Sequence, residues 1–172
     1  MALAFKGAAW KDPDSVVLMV MQSLLGSWSK QHAGGVNLGS PLAQRLASDD
    51  EVEVRQMAAF ALGLIGHASA RTPLLAALKD ASPMVQGRAA EALGMIGDRA
   101  DAAAVSEMTQ AHIRAGALNA LQPDDLGYPL APEVEAARLG LYALVKLGSY
   151  DALAAAALTA DGQPVSRWWP VA

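Results

Sequence analysis

Two segments, VRQMAAFALGLIG from Val54 and VQGRAAEALGMIG from Val85, repeat one another at a spacing of 31 residues with eight of thirteen positions identical. A fixed period of this length marks a supersecondary unit that is copied and stacked, and so limits the fold before any other property does. At 3.6 residues per turn, Val54, Ala58, Leu62 and Ile65 share one helix face, as do Val85, Ala89, Leu93 and Ile96. Each segment is therefore expected to be a helix with one buried stripe. Gly66 and Gly97 fall where a left-handed residue closes a helix. Gly63 and Gly94 lie inside the pattern, where glycine costs about 1 kcal/mol against alanine, so a close helix contact is expected at both.

Between the copies, ARTPLLAALKD reads as a shorter helix using Leu74, Leu75 and Leu78, and DASP supplies a turn and the next helix start. One unit is thus a helical hairpin. A third copy follows in EVEAARLGLYALVKLG and YDALAAAAL, with Leu144 and Leu147 in the places of Leu93 and Ile96. Its spacing is longer because of the insertion Thr109 to Pro132, and Val145 stands where the earlier copies have their internal glycine. Composition agrees with helices packed through small side chains: 53% of residues are hydrophobic, 17% charged and 5% aromatic.

The units resemble the HEAT-like repeats of phycobilin-lyase-type proteins. The residues that carry this are Val54-Arg55 and Val85-Gln86, the pairs Ala58-Ala59 and Ala89-Ala90, the ALGxIG endings, and Asp98. The resemblance runs from about Asp49 to the C-terminus, and it implies an α-α superhelix. At the end, GQPVSRWWPVA resembles the entry into a further helix that stops at Ala172, so the last repeat is expected to be truncated.

Residues 1–47 read differently. LAFKGAAW alternates as a short strand would, and DPDSVVLMVMQSLLGSW reads as a helix with Asp12 as N-cap and Pro13 in its first turn. KQHAGGVNLGSPLAQRLA then reads as a glycine-bearing loop leading into another helix, whose Leu42 and Leu46 take the places of Leu74 and Leu78. Phe5, Gly7, Trp10, Asp12-Pro13-Asp14, Leu25-Gly26-Ser27-Trp28, Gly34-Gly35 and Ser40-Pro41-Leu42-Ala43-Gln44 resemble a segment of the mitochondrial processing peptidase beta subunit and the bc1 core proteins. Peptidases of that class use the zinc motif H-x-x-E-H. His32, His67 and His112 are isolated in sequence, so the resemblance carries no catalytic residue here. A natural fusion, a fragment and a deliberate chimera all fit such a join.

Several functions are disfavoured at once. A net charge of -4 with no basic stripe argues against a nucleic-acid surface. Apolar runs such as Val16 to Met21 are far short of the roughly 20 residues that span a bilayer. With no cysteine there is no disulfide framework or thiolate chemistry. His67 reads as a solvated turn residue, His32 as part of a flexible turn, and Asp49, Asp50, Glu51 and Glu53 as charges favoured near a helix N-terminus. No metal, cofactor or catalytic set is expected.

The sequence thus predicts a mainly α, HEAT-like helical-hairpin solenoid of about three helix pairs. It spans residues 48–172, with an N-terminal strand-helix segment over 1–47. Its expected role is a non-catalytic scaffold or adaptor binding an unidentified protein partner, in the cytoplasm, or in mitochondria if the N-terminal resemblance reflects origin. The resemblances also imply two alternatives, a remnant of a processing peptidase or bc1 core subunit and a bilin-lyase-like accessory. Insertions in solenoids tend to map to the binding face. Candidate partner-binding residues are therefore His112, Arg114, Asp124, Asp125 and Tyr128 in the insertion, with Trp168 and Trp169 at the C-terminal end. That end is also expected to support self-association.

Overall fold

The computed structural model describes residues 34–119, 121 and 130–164, with side chains from Pro41 onward. The expected strand at Leu3, the helix from Asp12, and His32 lie outside the described residues. The chain divides into two units between Leu38 and Gly39; apart from the start of its first helix, everything below concerns the second.

Seven α-helices follow in order among the described residues: α1 Gly34–Ser48, α2 Val52–Ile65, α3 Arg71–Ala77, α4 Pro83–Ile96, α5 Ala102–Arg114, α6 Pro132–Lys146 and α7 Tyr150–Ala157. They form a solenoid of helical hairpins. Helix α1 begins at Gly34, earlier than its glycine-rich composition implies, and carries Pro41 inside it. Proline there removes one backbone bond, while Leu46, fully buried, and Leu42 seat the second half of the helix in the core.

The repeated punctuation acts locally as the sequence implies. Gly66 (φ 68°) and Gly97 (φ 82°) are left-handed and donate their N–H to Leu62 and Leu93, closing α2 and α4. Pro83 opens α4, and the Asp80 carboxylate accepts from Ser82 N at 2.8 Å, fixing the turn before it. After each closing glycine comes one turn of 3-10 helix, Ala68–Ala70 and Arg99–Asp101. His67 and Asp98, at equivalent places, cap these turns by accepting from Ser69 N and Ala100 N.

Helices α2, α4 and α6 stack side by side as one layer. Gly63 lies against Ala92, Gly87 against Ala136 and Gly94 against Ala143. A Cβ on Gly63 would sit 2.7 Å from the Ala92 Cα, and one on Gly94 would sit 2.9 Å from the Ala143 Cα. The internal glycines are therefore where neighbouring helices touch backbone to backbone. Helix α4, with a neighbour on each flank, is buried on both, whereas α2 is not: Val85 is fully buried but its counterpart Val54 is 38% exposed. One buried stripe per helix thus holds in α2 for Ala58 and Leu62 but not for Val54, and it underestimates α4. Leu62, Leu74, Val85, Leu93, Val105, Leu144 and Leu147 form the centre of the core.

The second layer is held differently. Arg71, at the start of α3, donates from Nε (2.8 Å) and Nη2 (2.6 Å) to the buried Asp101 carboxylate and pairs through Nη1 with Asp98 at 2.6 Å. Arg99 Nη2 donates to the Gly148 carbonyl at 2.8 Å, joining the second unit to the third. Successive hairpins are thus tied at one end by charge-assisted bonds.

Candidate functional site

Helix α3 has 7 residues and its counterpart α5 has 13. The 31-residue shift places Ala77, the end of α3, on Met108, so Thr109–Arg114 extend α5 beyond its neighbour. These six residues begin the insertion noted in the sequence, and the structure makes them helix. Thr109 is buried and donates its hydroxyl to the Val105 carbonyl at 2.7 Å, in space left by Gly140. Past Gly116 (φ 88°) the connector turns back, and Leu118 packs on Ala137 of α6.

A groove of about 410 Å³ opens between the short helix and the long one. One wall is Leu75, Leu78 and Lys79 at the end of α3; the other is the α5 face Ala104, Glu107, Met108, Ala111, His112 and Ala115, with Gln86 of α4 between them. The lining is mainly apolar and includes one cation, Lys79, and one carboxylate, Glu107.

Its polar corner is tied to the repeat framework. Gln86 Nε2 donates to the Asp80 carbonyl at 2.6 Å, which leaves its Oε1 facing His112 Nε2 at 2.6 Å. This network assigns the proton to Nε2. Burial pushes the His112 pKa below its ordinary value, against the opposing charge of Glu133. One unit earlier, Arg55 occupies the Gln86 position and forks onto the Asp80 carboxylate at 2.9 and 3.0 Å. Burial raises the Asp80 pKa, but the Arg55 and Ser82 hydrogen bonds and the Arg55 charge outweigh it and hold the carboxyl below its usual value.

Residues 39–122 match the family of HEAT repeats. The match takes in α2 to α5 and hence both walls of the groove. A separate similarity joins part of the chain to mitochondrial proteins. Over 52 residues it is 58% identical to the probable mitochondrial-processing peptidase subunit beta of Arabidopsis thaliana, covering 30% of this chain and 10% of that protein. Over 44 residues it is 43% identical to the human mitochondrial-processing peptidase subunit beta, covering 26% and 9%. Over 42 residues it is 43% identical to cytochrome b-c1 complex subunit 1 of Rattus norvegicus, covering 24% and 9%. The chain thus spans about a tenth of the length of these relatives.

Of the partner-binding residues expected from sequence, His112 lies in the wall of the α3/α5 groove, held by Gln86. Arg114 is exposed at the end of α5, donating to Gln110 Oε1 at 3.0 Å. Asp124, Asp125, Tyr128, Trp168 and Trp169 lie outside the described residues. Lys79, Gln86, Glu107 and Met108 escaped sequence reasoning. The available signal was the spacing of Ala104, Met108, Ala111 and Ala115 along a helix longer than its counterpart. Among the described residues no group of His, Asp and Glu side chains could hold a metal ion, and no helix is long and apolar enough to cross a membrane.

Proposed function

We propose that this chain is a non-catalytic helical-repeat scaffold, with residues 48–172 as its repeat-bearing part, that binds a protein partner along the α3/α5 groove. The observation that carries this reading is the groove itself: an apolar trough made by helix overhang, lined by Leu75, Leu78 and Met108 and edged by Lys79 and Glu107. Solenoids bind through continuous surfaces built by neighbouring units, and apolar area beside a polar rim suits an interface. His112 and Arg114, with Asp124, Asp125 and Tyr128 beyond them, extend the proposed contact along the insertion. The test compares affinity capture from the source lysate by the wild-type chain and by Ala111→Glu, which places a charge in the trough. A partner retained by the first and lost by the second supports the reading. Equal retention, or none, overturns it.

The 58% identity to a processing-peptidase beta subunit favours a second reading, in which the chain works within a mitochondrial assembly without the zinc motif. Fractionation of the source cells tests it: co-fractionation with a mitochondrial complex supports it, and exclusion from mitochondria removes it.

A further inference from the structure

The groove between α3 and α5 constrains the shape and charge of what it receives. The α5 wall runs as one stripe, Ala104, Met108, Ala111 and Ala115, at intervals of four, three and four residues. That is the spacing of a single helix face, and at 1.5 Å per residue it is about 16 Å long, or about three turns. Helix α5 packs on α6 and α7 with its other faces. Along this stripe its neighbour α3 stops short. In the 31-residue register Ala111 and Ala115 correspond to Asp80 and Met84, where the chain has already left α3, and both alanines are exposed.

An extended peptide would find no backbone to pair with here. Leu78, Lys79 and Asp80 donate their N–H groups to the Leu74, Ala76 and Ala77 carbonyls, and Ala115 and Gly116 donate theirs to Ala111 and Ile113. Both helix ends therefore close on themselves. The isolated bridge between Leu158 and Pro164 is not part of the lining. A strand laid in the groove would bury N–H and C=O groups without partners, whereas a helix satisfies its own. A small molecule fits no better: Lys79, Glu107, Ala111 and Ala115 are exposed, so the trough is open along its length, while small-molecule sites enclose most of their ligand.

The charges of the groove are unpaired. Every arginine among the described residues donates a hydrogen bond, and Lys146 lies 5.3 Å over the Tyr142 ring. Lys79 is thus the one lysine or arginine among the described residues without a partner, and Glu107, on the opposite wall, has none either. Resting on the scaffold reading above, we propose that the groove receives one amphipathic α-helix of the partner, about three turns long. Leucine-sized side chains at i, i+4 and i+7 lie along the α5 stripe, where the alanines leave room for them. A carboxylate of the partner meets Lys79 and a cation meets Glu107. Such matched charges fix the orientation of the helix more than they add affinity.

The test selects binders of the immobilised full chain from two phage-displayed libraries, a helical scaffold randomised on one face and linear peptides of the same length. The helical library is expected to yield binders and the linear one none. The binders carry a carboxylate and a cation flanking an apolar stripe, and Ala111→Glu weakens them at least about tenfold because it buries an unpaired carboxylate in the contact. Lys79→Glu and Glu107→Lys together select the same stripe with the two charges exchanged; both side chains are exposed, so the exchange leaves the fold intact. Linear binders in the groove, no helical binders, or helical binders indifferent to Ala111→Glu or to the charge exchange overturn the proposal. A lysate partner lost on Ala111→Glu yet not displaced by the selected helices overturns it and leaves the scaffold reading standing. Absence of any such partner removes both.

Discussion

The two layers of the solenoid are built on different physics. In the layer α2, α4, α6, glycine against alanine brings backbones together, and the contacts are short and apolar. In the layer α3 and α5, helices of unequal length leave a trough between them, and Arg71 and Arg99 hold successive units at one end. Close packing at every step would have left no trough. The repeat keeps its rigid contacts on one side and its open surface on the other.

The sharpest way to break the first layer is Gly94→Val. Its Cβ would meet the Ala143 Cα at 2.9 Å and the Ala143 Cβ at 3.1 Å, where neither backbone can retreat. We expect a loss of about 3 kcal/mol in denaturant unfolding, the upper end for overpacking. The second layer is broken at its clamp. Asp101→Ala removes two charge-assisted bonds from a buried site, and the expected loss is about 2 kcal/mol.

The reciprocal substitution Val145→Gly sharpens the comparison. Val145 is 47% exposed and contributes little packing, so the change should cost about 0.5 kcal/mol through helix propensity alone. A loss as large as that of Gly94→Val would show that the α6 flank is packed as α4 is. Ala111→Glu should change stability by less than about 0.5 kcal/mol while abolishing capture of a groove partner.

The smallest effect is a pH dependence. With its folded pKa below the ordinary value, His112 takes up a proton more readily in the unfolded chain. It therefore lowers stability as pH falls from near 6.5, its unperturbed value, towards its folded pKa. Thermal unfolding between neutral and mildly acidic pH should show a shallower decline in His112→Gln than in wild type. Equal slopes would place the histidine in water.

The repeat in the sequence made most of this fold legible. The period located the hairpins, and the interior glycines Gly63 and Gly94 announced the contacts the structure shows, because a glycine inside a helix asks for a close neighbour. Val145 read only as a departure from the pattern. Its reason became visible with the neighbours: on the described residues no helix stacks on that flank, so nothing there requires a glycine. Of the site, His112 was legible from its place in the insertion, whereas Lys79, Gln86 and Glu107 were not, since no motif links a short helix to a longer one a repeat away.

The 31-residue recurrence and the 3.6-residue turn thus determined by themselves that the repeats are helical, where Gly66 and Gly97 close a helix, and that Gly63 and Gly94 touch a neighbour, though not that Gly87 does. These properties depend on a residue and others within one repeat of it. Only the tertiary structure decided that α4 is buried on both flanks while Val54 and Met57 are exposed, and that the overhang of α5 opens a groove whose corner is held by Gln86 and His112. Burial of a face depends on what is stacked against it. That is set by the order of the whole array and the relative lengths of its helices, which no single repeat contains.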